Sequence, residues 1–160
     1  MRLSRLLPLL CVLLAASARP AFADATLFLG TVTKPSNHAT KGFAIGAGLL
    51  VVGAEFEYAS TKEDPANASP SLKTTSGNAY LQTPVAIAGT KFYVTTGLGG
   101  YRERLGTRVE TNVAFNTGGG VKVSLFGPLK VRLDYRVFKL KGSPLFSTFH
   151  RLYAGINLGF

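Results

Sequence analysis

The chain holds one cysteine, one methionine and no tryptophan in 160 residues, and 16% of it is charged, against about 25% in an ordinary soluble domain. The cysteine, Cys11, falls in an apolar run near the amino terminus, so the rest of the chain can build neither a disulfide nor a cysteine metal site. Beyond that run there is no stretch of eighteen apolar residues, which excludes a membrane-spanning helix. Amphipathic helices are lacking too, because glycine and β-branched residues recur too often. His-Glu-x-x-His and Asp-x-Asp-x-Asp-Gly spacings do not occur. Gly46-Ala-Gly48 and Gly97-Leu-Gly99-Gly100 have no following helix and complete no nucleotide fingerprint. No cofactor is expected.

What the chain does have begins with a leader. Arg2 and Arg5 precede the apolar core Leu6 to Ala16, and Ala21-Phe22-Ala23 is an A-x-A cleavage site. This predicts a secretory signal peptide over residues 1–23, too short to span a membrane, and a mature domain over 24–160 beginning at Asp24. Loss of Arg2, Arg5 and Arg19 leaves fifteen bases against eight acids, a net charge of +7. For an exported protein that excess predicts contact with anionic lipid phosphate rather than nucleic acid.

The mature region alternates strands and turns. Eight strands are predicted near residues 26–33, 42–52, 54–61, 78–88, 91–103, 112–125, 129–140 and 147–160. Gly53, Ala88-Gly89-Thr90 and Phe126-Gly127-Pro128 are expected as tight turns; residues 34–41, 62–77, 104–111 and 141–146 are expected as longer polar loops. Short turns at one end and longer loops at the other, with an even strand count, fit an up-and-down transmembrane barrel.

Alternation alone leaves open whether the apolar face points into a soluble, lipocalin-like barrel or out into lipid. The composition of the opposite face decides. Phe43, Ile45, Ala47 and Leu49 oppose Gly42, Ala44, Gly46 and Gly48, and Phe92, Val94 and Leu98 oppose Tyr93, Thr95, Gly97 and Gly99. A solvated face would carry charges, whereas a narrow lumen needs small residues where side chains collide. Glu55, Glu57, Lys122, Arg132, Asp134 and Arg136 share the glycine face, with Tyr80 and Gln82. They are expected as a balanced salt-bridge network in the lumen. Phe92, Phe126 and Phe160 toward one end, and Phe43, Tyr58 and Tyr135 toward the other, are candidates for interfacial girdles.

The last strand alternates to its end, and Tyr153-x-Gly155-x-x-Leu158-x-Phe160 resembles the carboxy-terminal signal that hands bacterial outer-membrane barrels to their assembly machinery. The segments Lys91 to Arg102 and Gly118 to Arg136 resemble the glycine-rich hairpins of small outer-membrane barrels of the OmpA and OmpX type, including porin-like members. The resemblance implies an all-β, eight-stranded antiparallel barrel, monomeric, in the outer membrane of a Gram-negative cell, with a structural or surface-interaction role. It does not extend to the peptidoglycan-binding domain of full OmpA proteins. Two alternatives stay open: a narrow channel for small solutes, and a lipid-modifying enzyme. The enzyme would need His38 or His150 to meet a serine such as Ser143 or Ser147; His150-Arg151-Leu152 lacks the His-x-Ser pair of the lipid A deacylases. Cations among the long loops, including Lys34, Lys41, Lys62, Lys73, Arg104, Arg108 and Lys141, are placed to meet lipopolysaccharide phosphates.

Overall fold

A computed structural model describes residues 21–33 and 37–160. Eight strands run β1 Phe22–Thr33, β2 His38–Leu49, β3 Val52–Thr61, β4 Ser71–Gln82, β5 Thr90–Leu105, β6 Arg108–Phe126, β7 Leu129–Leu140 and β8 Thr148–Gly159. Each pairs antiparallel with its sequence neighbours, and β1 pairs with β8, so the sheet closes into a barrel with no free edge. Closure satisfies the backbone polar groups without water, the condition for a sheet to cross a bilayer. The signal-peptide expectation falls almost wholly on residues 1–20, outside the described residues, as does Lys34.

The wall has the inverse polarity of a soluble protein. Leu27 and Leu29 of β1, Val94 and Leu98 of β5 and Phe126 of β6 are between 60% and 73% exposed on the outside. The inside holds Glu55, Glu57, Arg132, Asp134 and Arg136, each at most 4% exposed. An apolar band around the whole circumference is far larger than the patches a soluble monomer shows. In hydrocarbon it is the ordinary solvent-facing surface. The predicted inward glycines and outward Phe92, Phe126, Tyr135 and Phe160 all lie as expected.

Several boundaries differ from the sequence expectation, each for a physical reason. Gly53 is not a turn: the reversal is at Leu50-Val51, with Leu50 at φ 55°. Gly53 sits within β3 opposite Gly48, where a Cβ would run into the Tyr80 ring. β1 starts at Phe22 rather than Thr26. β4 starts at Ser71 rather than Asn78, because its inward residues Thr74, Ser76 and Asn78 are polar and a strand lining a polar lumen reads like a loop. Its far end stops at Gln82, before Pro84, which cannot donate to a ladder. The expected loop 104–111 contracts to Gly106-Thr107, where Gly106 takes φ +60° and lets β5 and β6 continue as a long hairpin above the apolar band. The tight-turn end therefore includes one seven-residue connection, 83–89, and the loop end includes one two-residue turn.

Candidate functional site: the filled lumen

From the tight-turn end upward, the first layer of the lumen is the Lys122 ammonium on the Asp24 carboxylate, both buried. Above it, Arg132 bonds Glu55 through both terminal nitrogens, reaches the Asp134 carboxylate at 3.1 Å, and donates from Nε to the Tyr93 hydroxyl at 2.7 Å. The Tyr93 hydroxyl in turn donates to Asp134. Arg136, completely buried, donates to Glu55 at 2.8 Å and Asp134 at 2.9 Å and lies 3.3 Å from Glu57. Glu57 is closed from the loop side by Arg151. Four carboxylates thus meet four cations, and each carboxylate has at least one charged partner.

This arrangement follows from strand period and register. Arg132, Asp134 and Arg136 alternate along β7 and so enter one lumen, while Glu55 and Glu57 alternate along β3. Room for their long side chains comes from glycine. A Cβ at Gly120 would meet the Tyr93 ring and the Leu133 carbonyl. Gly120→Val is expected to cost about 1–3 kcal/mol by overpacking, read as a lower unfolding midpoint of the refolded barrel.

Toward the loop end the lumen turns apolar. Phe138 and Phe149 stack with centroids 4.6 Å apart, in a buried cluster with Val32, Leu72, Tyr101 and Leu140. The Arg151 guanidinium lies 4.5 Å from the Phe138 ring centroid, joining the charged and apolar layers by a cation–π contact. At the rim, above the apolar band, the Leu145 N–H donates to Glu103 at 2.8 Å, and burial pushes the Glu103 carboxyl above its ordinary value.

All six residues expected in the lumenal network are there. Sequence reasoning missed Asp24 and Arg151, and placed Tyr93 on the inward face without its part in the network. Asp24, expected as the first residue after Ala21-Phe22-Ala23, lies within β1, opposite Gly46 and Gly159. Arg151 has the parity of Tyr153 and Asn157, both buried, so the period-2 signal was available. Of the carboxy-terminal residues, Leu158 and Phe160 face outward, whereas Tyr153 is buried in the lumen and stacks on Phe28 at 4.0 Å. The two histidines lie on opposite sides of the wall. His38 lines a small cavity at the loop-side mouth, and His150 faces outward with its Nδ1 2.6 Å from the Tyr135 hydroxyl.

Fold and interior define a small eight-stranded outer-membrane-type barrel with a charged interior capped by an apolar layer. Solved structures of that class superpose on it: the N-terminal β-barrel domain of Pseudomonas aeruginosa OprF, at 14% identity over 87% of this chain and 97% of that one, with TM-score 0.69. Neisserial surface protein A follows at 16% identity, covering 90% and 99%, TM-score 0.65. Ail, the attachment invasion locus protein of Yersinia pestis, and the outer-membrane enzyme PagL give TM-scores of 0.55 and 0.54, each at 14% identity, with 88% and 98%, and 84% and 98%, of the two chains covered. At these identities the likeness is one of fold. No protein-family model matches the sequence, and no curated protein does.

Proposed function

We propose that the chain is a bacterial outer-membrane barrel whose work is done by its outer and loop-end surfaces, its lumen serving as a structural core. The observation that carries this is the continuous filling of the lumen, from the Asp24–Lys122 pair through the Arg132 and Arg136 layer to stacked Phe138 and Phe149. Side chains locked this way leave no file for water. Single-channel recording of the purified protein in planar bilayers is expected to show no discrete conductance; regular steps would sink the reading in favour of the narrow channel.

Surface interaction is the role that the loop end supports. Lys41, Lys62, Lys73, Arg102, Arg104, Arg108, Lys139 and Lys141 stand exposed there, against Glu63, Asp64, Glu103 and Glu110. Among the similar barrels, Ail has been solved with the heparin analogue sucrose octasulfate. The enzymatic alternative draws no support from His150, whose Nδ1 faces outward onto the Tyr135 hydroxyl at 2.6 Å and not onto a serine. Lipid A from cells overproducing the protein is expected to keep its acylation pattern.

The ends fit the same proposal. Phe160 exchanges both of its backbone hydrogen bonds with Ala23, each at 2.9 Å. Cleavage before Asp24 would remove that partner, freeing the Phe160 backbone beside its exposed ring for the assembly machinery to grip. The intact mass of the mature, monomeric protein should correspond to a chain beginning at Asp24. Deleting Phe160 should deplete the folded form, seen as the band whose mobility shifts on boiling, from the outer membrane.

A further inference from the structure

The outer surface of β4 and β5 combines two features that the filled lumen does not explain. The first is a cationic ledge. Lys41 of β2 pairs across the sheet with Ser60, Ser60 with Lys73, Lys73 with Arg102, and Arg102 with Thr111. These five residues form one lateral rung with outward side chains. Above it Ser71 pairs with Arg104, and an open cleft of about 400 Å³ is lined by Ser71, Lys73, Arg102 and Arg104. Among the described residues these cations make one ion pair, Arg104 with Glu63 at 3.5 Å, and the Arg104 side chain stays 60% exposed.

The second feature is a furrow running down from the ledge. Outward positions Thr75, Gly77 and Ala79 of β4 are all small; Tyr58 and Phe56 on β3 and Leu98 on β5 flank Thr75 and Gly77, while Gly100, Ala54 and Thr96 at the remaining neighbouring positions keep the depression wide. A Cβ added at Gly77 would meet nothing within 4 Å, so the floor there is open. Lower on the same face, Ala79, Leu81, Val94 and Thr96 border a depression of about 500 Å³. From Lys73 to Ala79 is about 20 Å along the strand. At a tilt of ~40° that is about 15 Å of depth, half of a ~30 Å hydrocarbon core.

A phosphate ledge set one leaflet above an apolar trough has the dimensions of a single lipid. We infer that this face is a binding site for a phosphoglycolipid of the outer leaflet, its phosphate held by Lys73, Arg102 and Arg104 and one acyl chain laid along Thr75, Gly77 and Ala79. The inference rests on the proposed outer-membrane location with the loop end outward. Complementarity of charge selects the ligand: three cations line one cleft, and guanidinium groups pair with phosphate oxygens bidentately, so a phosphomonoester, with its greater negative charge, is favoured over the phosphodiester of a net-neutral zwitterionic headgroup.

The test is native mass spectrometry of the detergent-folded, full mature chain, with bisphosphorylated lipid A, monophosphorylated lipid A, phosphatidylglycerol and phosphatidylethanolamine as probes. One lipid A of either phosphorylation state per barrel is expected, with about tenfold weaker retention of phosphatidylglycerol, since bonds to charged groups contribute about 1.5–3 kcal/mol each. The combined K73Q and R102Q variant should lose at least about tenfold, and Gly77→Leu, which fills the furrow without touching charge, should also weaken retention. The combined K91Q and K130Q variant, altered near the opposite rim, should bind as the wild type does. Equal retention of lipid A by the K73Q and R102Q variant, or of phosphatidylglycerol and lipid A by the wild type, would overturn the inference. The comparison of lipid A with phosphatidylglycerol uses unmutated protein, so it does not depend on a variant folding. Loss of the boiling-dependent band shift in the wild type would instead indict the barrel reading itself.

Discussion

Replacing Arg136 with methionine is expected to destabilise the barrel by about 3–5 kcal/mol, the usual cost of removing one partner from a buried ionic group. Arg136 is fully buried and touches three carboxylates, Glu55, Glu57 and Asp134. Without it, four carboxylates face three cations in the buried interior. Lys122→Met should cost less, because Lys122 pairs with Asp24 alone at the end of the lumen nearer solvent. Urea unfolding of the protein refolded into lipid vesicles measures both. Near-equal midpoints for Arg136→Met and the wild type would mean that the network is solvated and the lumen open. The intact network need not stabilise the fold strongly, since the desolvation of eight charges offsets much of their attraction. Its larger consequence is register: a shift of one residue on β7 would carry Arg132, Asp134 and Arg136 into lipid.

The second large effect is expected at the loop-side plug. Phe138→Ala removes a ring that stacks on Phe149 and covers the Arg151 guanidinium, and truncating a buried phenylalanine costs about 3–5 kcal/mol. The same change opens the mouth above the charged layer. A lowered unfolding midpoint without conductance would show that the Arg136 layer alone still closes the lumen. Conductance in Phe138→Ala together with Phe149→Ala would show that the apolar plug is the principal seal. A midpoint unchanged from the wild type would contradict the packing of this cluster.

Barrel class, strand number and the facing of nearly every side chain were legible in the sequence. Period-2 alternation is a local property, and the glycine-rich face opposite Phe43 to Leu49 told lumen from solvent. So were Glu55, Glu57, Lys122, Arg132, Asp134 and Arg136 as lumenal groups. What sequence patterns obscured was local identity that depends on the partner strand. Ser71 to Gly77 read as loop because a polar lumen removes the hydrophobic contrast that marks a strand. Gly53 read as a turn because glycine serves both a reversal and a close approach, and only the position of the Tyr80 ring distinguishes them.

The sequence by itself therefore determined an inside-out barrel and the polarity of its interior, since both follow from which residues alternate. Only the tertiary structure decided which charges meet. Pairing depends on register between strands distant in the chain, as when Asp24 reaches Lys122 and Glu57 reaches Arg151. The same holds on the outside, where Lys41, Lys73 and Arg102 are scattered in sequence and become one rung because β2 to β5 pair in that register.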